Sequence, residues 1–397
     1  MATARNGPHL AIVGAGIAGL TLAAALRGSG FSCTVHERTQ TLREVGAGIQ
    51  LSPNASRLLI RLGLRPQLTA RATRMEAMEV RGWSGNPIAR TILGEECEAV
   101  FGAPYYSIHR AHLHAELAAL VGADGIRLGR RVRAVHHDGD TPVLEFADGT
   151  RGAADVVVGA DGVRSSVRRD LVGDAPVFSG LVAYRALVPA ALLPEGARQP
   201  LVRSWLGPGR HVICYPVAGG DLINLVAVAP STEVGGESWS AQGDPAELVD
   251  AFEGWHTPVQ LLARATADVK RWALHDRDPA GTWAADRVVL VGDAAHPMLP
   301  FLGQGANQAV EDAFELASCL SNFGGDGMDA ALTRYASVRA TRTAQVQRSS
   351  REHVRSMHLA DGPRQQARDR ELHRTSGLAA RAWLYAHDID TGPLVAA

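Results

Sequence analysis

The chain has 397 residues, of which 20% are charged and 46% hydrophobic, with a formal net charge of −1 and no long run of one sign. That is enough for two or three domains with substantial cores, and the balance argues against a nucleic-acid-binding face or a polybasic membrane patch. Four widely spaced cysteines, Cys33, Cys97, Cys214 and Cys319, form no C-x-x-C pair, so no metal site or disulfide framework is expected and a reducing cytoplasm suits them.

The first elements form a βαβ unit. "HLAIVGAGIAGLTLAAALRGSGFSCTVHER" reads as a buried strand at Leu10 to Val13, a tight turn, and a helix from Ile17 to Leu26. Gly28 and Gly30 end that helix, and "SCTVHE" is the second strand. The uncharged run from Leu10 to Leu26, preceded by Arg5, imitates a signal-peptide core. It lacks a cleavage site and is too short and glycine-broken to span a membrane, so a soluble cytoplasmic protein is expected.

Residues 50 to 75 predict a helix opened by "SPNA", with Ser52 or Asn54 as cap. "MEAMEVRGWSGNPIARTIL" alternates around "SGN", a hairpin signal, and "RAHLHAELAALV" is a periodic helix. His136 and His137 fall in a polar turn, and "LEFADGTRGAADVVVGADG" is a hairpin followed by a buried strand. From about residue 178 four β-rich segments, "GLVAYRALVP", "PLVRSWLG", "HVICYPV" and "LINLVAV", imply an antiparallel sheet inserted as a second domain. A helix at "DPAELVDAF", capped by Asp244 with Pro245 first, closes that module. Residues 287 to 323 return as strand plus helix, stopped by Gly324 and Gly325, and the remainder is mainly helical.

Chemistry begins at Gly14-Ala15-Gly16-Ile17-Ala18-Gly19, a G-x-G-x-x-G turn between strand and helix. Its glycines serve a tight turn, close approach to a pyrophosphate, and helix–strand packing, with the helix N-terminus facing the phosphates. Glu37 ends the second strand 18 residues after Gly19, where its carboxylate can accept from ribose hydroxyls, and Arg38 follows it. This predicts a dinucleotide site but not which dinucleotide.

Two further motifs decide it. "DVVVGADGVRSSVRRDLVG" places Asp161-Gly162 after a buried strand, and "VVLVGDAAHPMLPFLGQGANQAVEDA" places Gly292-Asp293 after another. With the first motif they resemble the class A flavoprotein monooxygenases, single-component aromatic hydroxylases that carry these motifs in this order. "YSIHRAHLHAEL", "YRALVP" and "WLYAHD" are similar to the salicylate, hydroxybenzoate and 6-hydroxynicotinate hydroxylase branch.

The resemblance implies an α/β fold: a Rossmann-like FAD-binding domain of glutathione-reductase type, an inserted antiparallel β-sheet substrate domain, and C-terminal helices. FAD-binding parts are assigned to residues 1–75, 102–177 and 273–330, the substrate sheet to 76–101 and 178–272, and a helical segment to 331–397. It implies FAD contacts from Arg110, from Asp161, from Asp293 to the ribityl chain, and from Pro300, Gly303, Gly305, Ala306 and Asn307 around the isoalloxazine ring. Physical logic runs beside it: prolines withhold N–H groups, glycines admit backbone to a flat ring, and a helix start there stabilises an anion. No second G-x-G-x-x-G exists for a nicotinamide nucleotide, so the resemblance implies transient docking of NADH or NADPH, with Arg164 and Arg168 as candidates. A homodimer is the implied assembly.

On the substrate side, the resemblance implies oxygen transfer from a flavin C4a-hydroperoxide to an electron-rich ring. Strand alternation puts His211, Ile213 and Tyr215 on one face, and His211 and Tyr215 coincide with polar positions of the hydroxynicotinate branch. They are the catalytic candidates, beside an alternative as strand-end histidine and sheet packing. Gln50 follows a segment near the flavin where some relatives carry a histidine base, and it cannot act as one. Arg81, Arg185 and Arg203 are candidate carboxylate anchors, Pro300 and Gln50 further substrate neighbours, and His296 is read as structural.

The expected activity is hydroxylation of a small aromatic acid bearing a hydroxyl or amino group, using FAD, NAD(P)H and O2. The alternative within the class is tailoring of a larger aromatic or polyketide product. A halogenase is disfavoured by the absence of W-x-W-x-I-P, a lipid reductase by the polar module, and a flavin-binding sensor by the intact Gly292-Asp293 segment.

Overall fold

A computed structural model describes residues 7–42, 47–232, 241–323 and 327–389; the predicted stop at Gly324 and Gly325 lies outside these. A six-stranded sheet sets the first layer. Its middle is three strands of "VVV" and "AIV" type, Val288–Leu290, Val156–Gly159 and His9–Val13, all parallel and buried, followed by Ser32–His36. Apolar residues run unbroken here because both faces are covered, as parallel sheets require. Helices pack on the layer, and a three-stranded antiparallel sheet (Val132–Asp138, Thr141–Phe146, Arg151–Ala153) packs on it as well, adding Val132, Leu144 and Phe146 to the core. The strands that lead into the three motifs are therefore neighbours, and the motifs open at one sheet edge. Helices Ile17–Ala25, Arg110–Val121 and Gly305–Phe323 pack on this layer.

The second layer is a seven-stranded sheet in the order Lys270–Asp276, Val177–Pro189, Leu222–Pro230, Arg210–Val217, Leu201–Gly207, Ala77–Gly82 and Pro87–Ile92. The predicted hairpin at 77–92 joins it through a parallel pairing of Ala77–Gly82 with Leu201–Gly207. One face packs on helices Pro245–Ala251 and Thr257–Arg264, whose Leu248, Val259 and Leu262 enter a core with Trp205 and Trp255. The other face looks toward the first layer.

Two local expectations are corrected. The predicted helix over 50–75 begins later and in pieces: Gly48–Leu51 is a strand paired with Tyr106–His109, and helices Pro53–Leu59 and Arg65–Arg71 flank a wide turn at Ile60–Leu64. Gly63, at φ 92°, breaks the helical path. Ser52 holds the cap position without capping, its hydroxyl donating instead to Asn54 Oδ1 at 2.6 Å. His136 and His137 sit on the strand Val132–Asp138, not in a turn.

The helix Met328–Met357 crosses from the first layer to the second. In its first half Arg339 is fully buried and paired with Asp312 at 2.7 Å. At its end the carbonyl of His358 accepts from Gly209 N–H at 3.0 Å, beside the strand Arg210–Val217.

Candidate active site

Between the layers runs a cavity of about 1510 Å3. Its first end is made of backbone. Gly14 turns at φ +109°, and a Cβ there would stand 2.4 Å from Ala160 O; one on Gly19 would stand 2.1 Å from Gly14 O. Both glycines are thus demanded by the protein's own packing. Gly16 is different. Its φ is −77° and nothing lies within 4 Å of a Cβ built on it, so only something outside the protein explains the bare backbone on this cavity wall. A phosphate at the N-terminus of helix Ile17–Ala25 is that kind of group. Glu37 steadies the loop, its carboxylate accepting from Ala15 N–H at 3.0 Å and Thr39 N–H at 2.9 Å. Arg38 lines the cavity alongside.

The Gly292-Asp293 turn is held from beneath. Gly292 N–H donates to Asp312 Oδ2 at 2.7 Å, and His296 Nε2 meets the same oxygen at 2.5 Å. His296 is fully buried and stacked against Trp283, a structural place rather than a base. Asp293 faces the cavity, its carboxyl pushed up by burial and drawn down by His296 and Arg110. Arg110 heads its helix on the opposite wall, its N–H donating to Ala47 O at 2.8 Å.

Pro300 and Phe301 turn the chain into Gly303, at φ +63°, and the helix then starts at Gly305. A Cβ on Gly305 would meet only Asp293 Oδ1, at 3.9 Å, so this glycine too is bare toward the cavity without need from the protein. Ala306 lines the cavity, whereas Asn307 is fully buried. The Asn307 side chain ties strand Gly48–Leu51 to the helix start, accepting from Ser52 N–H at 2.9 Å and donating to Gln50 O at 3.0 Å. Asn307 therefore positions the turn and its side chain does not reach the cavity. Asp161 likewise spends its carboxylate on the protein, accepting from Ser166 N–H at 2.7 Å and from the Ser165 hydroxyl.

The other end is made of side chains on the second sheet. Pairing aligns Trp272, Ala183, Val228 and His211 across four strands; Arg185, Val226 and Ile213 form the next row, and Asn224 and Tyr215 the third. Apolar residues thus separate three polar ones. Arg185 stacks at 4.3 Å over Trp272 and donates to Gly48 O at 3.0 Å. Its Nε is buried with no partner among the described residues, and burial lowers its pKa to about 10. Such an orphaned cationic donor is costly unless an acceptor arrives.

Tyr215 packs over Gly48, and burial raises its pKa to about 12, opposed by Arg185 and by a hydrogen bond from Gln50. Gln50 Oε1 in turn accepts from Tyr105 Oη. With its oxygen held by Gln50, the Tyr215 proton is left to donate. His211 is buried at the far row, edge-on to Phe301 at 5.4 Å, with its pKa pushed well down by burial and then by His358 and His353.

Three expectations need correction. Arg203 pairs across from Cys214 and Arg81 from Trp205, positions of opposite parity to His211, Ile213 and Tyr215. Both therefore point away from the cavity, Arg81 to Glu79 at 3.3 Å and Arg203 to Glu79 at 3.8 Å. Arg168, expected at a nicotinamide docking surface, is fully buried, paired with Asp174 at 2.7 Å and donating to Ala294 O at 3.0 Å. Arg164 is exposed at the cavity mouth. Sequence reasoning missed Trp272, Asn224 and His358; the alternation of "KRWALHD" could have flagged Trp272, while nothing local marks His358.

The geometry agrees with the relatives of the chain. A family model described as "FAD binding domain" matches residues 9–350. The chain belongs to that family. It is an FAD-dependent aromatic monooxygenase of the class A flavoprotein hydroxylases, consuming NAD(P)H and O2. It is 48% identical to 3-amino-4-hydroxybenzoate 2-monooxygenase of Streptomyces cremeus over 95% of this chain and 94% of that one. With 6-hydroxynicotinate 3-monooxygenase of Bordetella bronchiseptica the identity is 36%, covering 87% and 91%. Among solved structures, a salicylate hydroxylase substrate complex superposes with a TM-score of 0.81 at 29% identity, covering 99% and 98%. Among the described residues of this monooxygenase, no helix is long and apolar enough to cross a membrane and no cluster of metal-binding side chains occurs.

Proposed function

We propose that the substrate of this monooxygenase is 3-amino-4-hydroxybenzoate and that C2 of the ring is hydroxylated. The observation that carries this is the 48% identity over nearly the full length of both chains with a monooxygenase of that name, against 36% with a hydroxynicotinate enzyme. The cavity chemistry supports it. A carboxylate answers the orphaned donor of Arg185, while Tyr215 and His211 serve the hydroxyl and amine. Strand spacings put the Arg185 and His211 backbones about 12 Å apart, room for one substituted ring between the side chains.

Gly14, Gly16, Glu37, Arg38, Arg110, Asp293 and the Pro300–Ala306 turn would hold FAD, which would supply the activated oxygen at the expense of NAD(P)H and O2. The protein's share is orientation and proton handling. Arg185 fixes the carboxylate; Tyr215 donates to a ring substituent; His211, kept neutral by burial, accepts a proton at its free ring nitrogen. The amine at C3 makes C2 electron-rich, so only orientation has to select that carbon. Val226, Val228 and Ile213 keep water from the ring. With its four cysteines free, a cytoplasmic homodimer is the form to test by light scattering.

The deciding experiment is NAD(P)H oxidation by purified protein with 3-amino-4-hydroxybenzoate, 6-hydroxynicotinate and 3-hydroxybenzoate, with peroxide measured alongside. Fast oxidation with little peroxide and a 2-hydroxylated product is expected for the first acid alone. Tighter coupling with either of the others would overturn the assignment.

A further inference from the structure

His211 does not stand alone. Its Nδ1 lies 2.7 Å from Nε2 of His358, with the ring centroids 4.9 Å apart. His358 comes from a different part of the chain, just past the helix Met328–Met357, and is fixed there by the Gly209 N–H bond to its carbonyl. His211 is 1% exposed, whereas His358 is half-buried. The two rings thus form a short path from the cavity wall toward solvent.

Two neutral imidazoles in such contact share a single bridging proton, and its place dictates both outer nitrogens. When His211 donates from Nδ1, its Nε2 is a lone pair toward the cavity and His358 carries its proton on Nδ1. When His358 donates from Nε2, the pattern inverts: His211 presents an N–H to the cavity and His358 Nδ1 is bare. We propose that His358 sets the tautomer of His211 and serves as the outlet for the proton His211 takes from the substrate. This rests on the substrate reading above.

The step balances. A ring-bound O–H or N–H bond breaks, and the proton joins Nε2 of His211. The Nδ1 proton of His211 passes to Nε2 of His358, and the Nδ1 proton of His358 leaves to water. The pair ends in the inverted state, now donating to the atom it has just deprotonated, and neither ring need remain charged. No oxidant or reductant is consumed. The surroundings favour neutrality: His353, on the last turns of the long helix that His358 follows, is the other ionisable neighbour acting on His211, and Phe301 closes the remaining side. Burial lowers the pKa of both His353 and His358 to about 4.

The test uses FAD-loaded enzyme and the variants His358→Gln and His358→Ala, with His137→Gln, on an exposed strand, as control. A glutamine amide can hold either tautomer of His211, its NH2 donating to Nδ1 or its oxygen accepting from it, but it cannot pass a proton on. Expected for His358→Gln is acid affinity within about threefold of wild type with hydroxylation slowed at least about tenfold and more peroxide released. The wild-type rate should be flat from about pH 5.5 upward, and the variant's should climb with pH as the substrate ionises by itself. Added imidazole should restore His358→Ala.

Independently of any substrate, 15N NMR of the ring nitrogens should show a bridging proton in wild type that is lost in His358→Ala, with the balance of His211 tautomers changed. Wild-type rates and pH profile in both variants would overturn the proposal, and so would a His211 tautomer indifferent to residue 358. If wild type itself ignores 3-amino-4-hydroxybenzoate, the substrate reading falls, and the NMR result still decides the pairing.

Discussion

The two ends of the cavity are built on opposite terms. At the nucleotide end, backbone does the work: Gly14 and Gly19 are forced by contacts at 2.4 and 2.1 Å, and Gly16 and Gly305 are left bare. At the substrate end, strands supply a flat grid, and individual side chains on it, Arg185, His211 and Tyr215, are the ones we propose carry the chemistry. A site made of backbone advertises itself, because glycine is nearly the sole residue that can occupy its positions. A site made of side chains on a sheet depends on register, and register is not written in any one segment.

The largest effect should come from separating the two kinds of glycine. Gly14→Ala forces a side chain into the left-handed region and against Ala160 O, so the cofactor-free protein should lose about 1–3 kcal/mol or more. Gly16→Ala should leave the cofactor-free protein within about 0.5 kcal/mol of wild type and yet abolish FAD retention. Thermal melts with and without FAD check both. A Gly16→Ala protein that keeps its flavin would break the argument that Gly16 is bare for a ligand.

How far the sequence spoke follows from the same contrast. The order of the three motifs, with Glu37 and Asp293 placed after apolar strands, made the cofactor end and the fold legible. The carboxylate anchor we propose was not: Arg81, Arg185 and Arg203 are alike in sequence, and only cross-strand pairing turns Arg185 into the cavity and the other two onto Glu79. Arg168 was a candidate for nicotinamide docking, but a tertiary contact with Asp174 and the Ala294 carbonyl buries it. His358 lies 147 residues from His211 and joins it only through the path of a 30-residue helix. Asn307 read as a cofactor ligand because it sits in the right turn; its bonds to Ser52 and Gln50 show the turn itself being held.

That contrast predicts unequal arginines. Arg185→Met should weaken binding of the aromatic acid by about 10- to 100-fold, the range for a hydrogen bond to a charged group, with FAD retained. Arg203→Met should change acid binding by less than about twofold, since what it loses, a long ion pair to Glu79 and a hydrogen bond to Gln199, lies on the face of the sheet away from the cavity. Titration of each variant with the acid, read by flavin absorbance, measures the difference. Equal losses would mean that the anchor lies elsewhere.

Tyr215→Phe should act more gently. It removes one neutral donor, so about a 2- to 10-fold loss in kcat/KM is expected. Gln50→Glu sharpens the point: a carboxylate beside Tyr215 cannot donate to its oxygen, so the phenol would turn toward it and the substrate would lose its partner. Its kcat/KM should therefore fall at least as far as that of Tyr215→Phe, and the double variant should be no worse than the poorer single one. Additive losses would separate the two residues.

The effect confined to acid pH, and absent near neutrality, spans both ends. Burial lowers the pKa of His36 at the nucleotide end to about 4, and that of His358 at the substrate end likewise. Between pH 6.5 and 4 the unfolded chain binds protons that these folded residues refuse. Stability from this source is therefore complete above about pH 6.5 and is lost as pH falls toward 4. The melting temperature should drop over that window, and His36→Gln should flatten the drop because glutamine does not titrate. Saturating FAD should steepen it if the cofactor buries the His36 cavity wall further. A slope indifferent to both would mean that His36 protonates in place, and that this end is wetter than its packing against Phe146 implies.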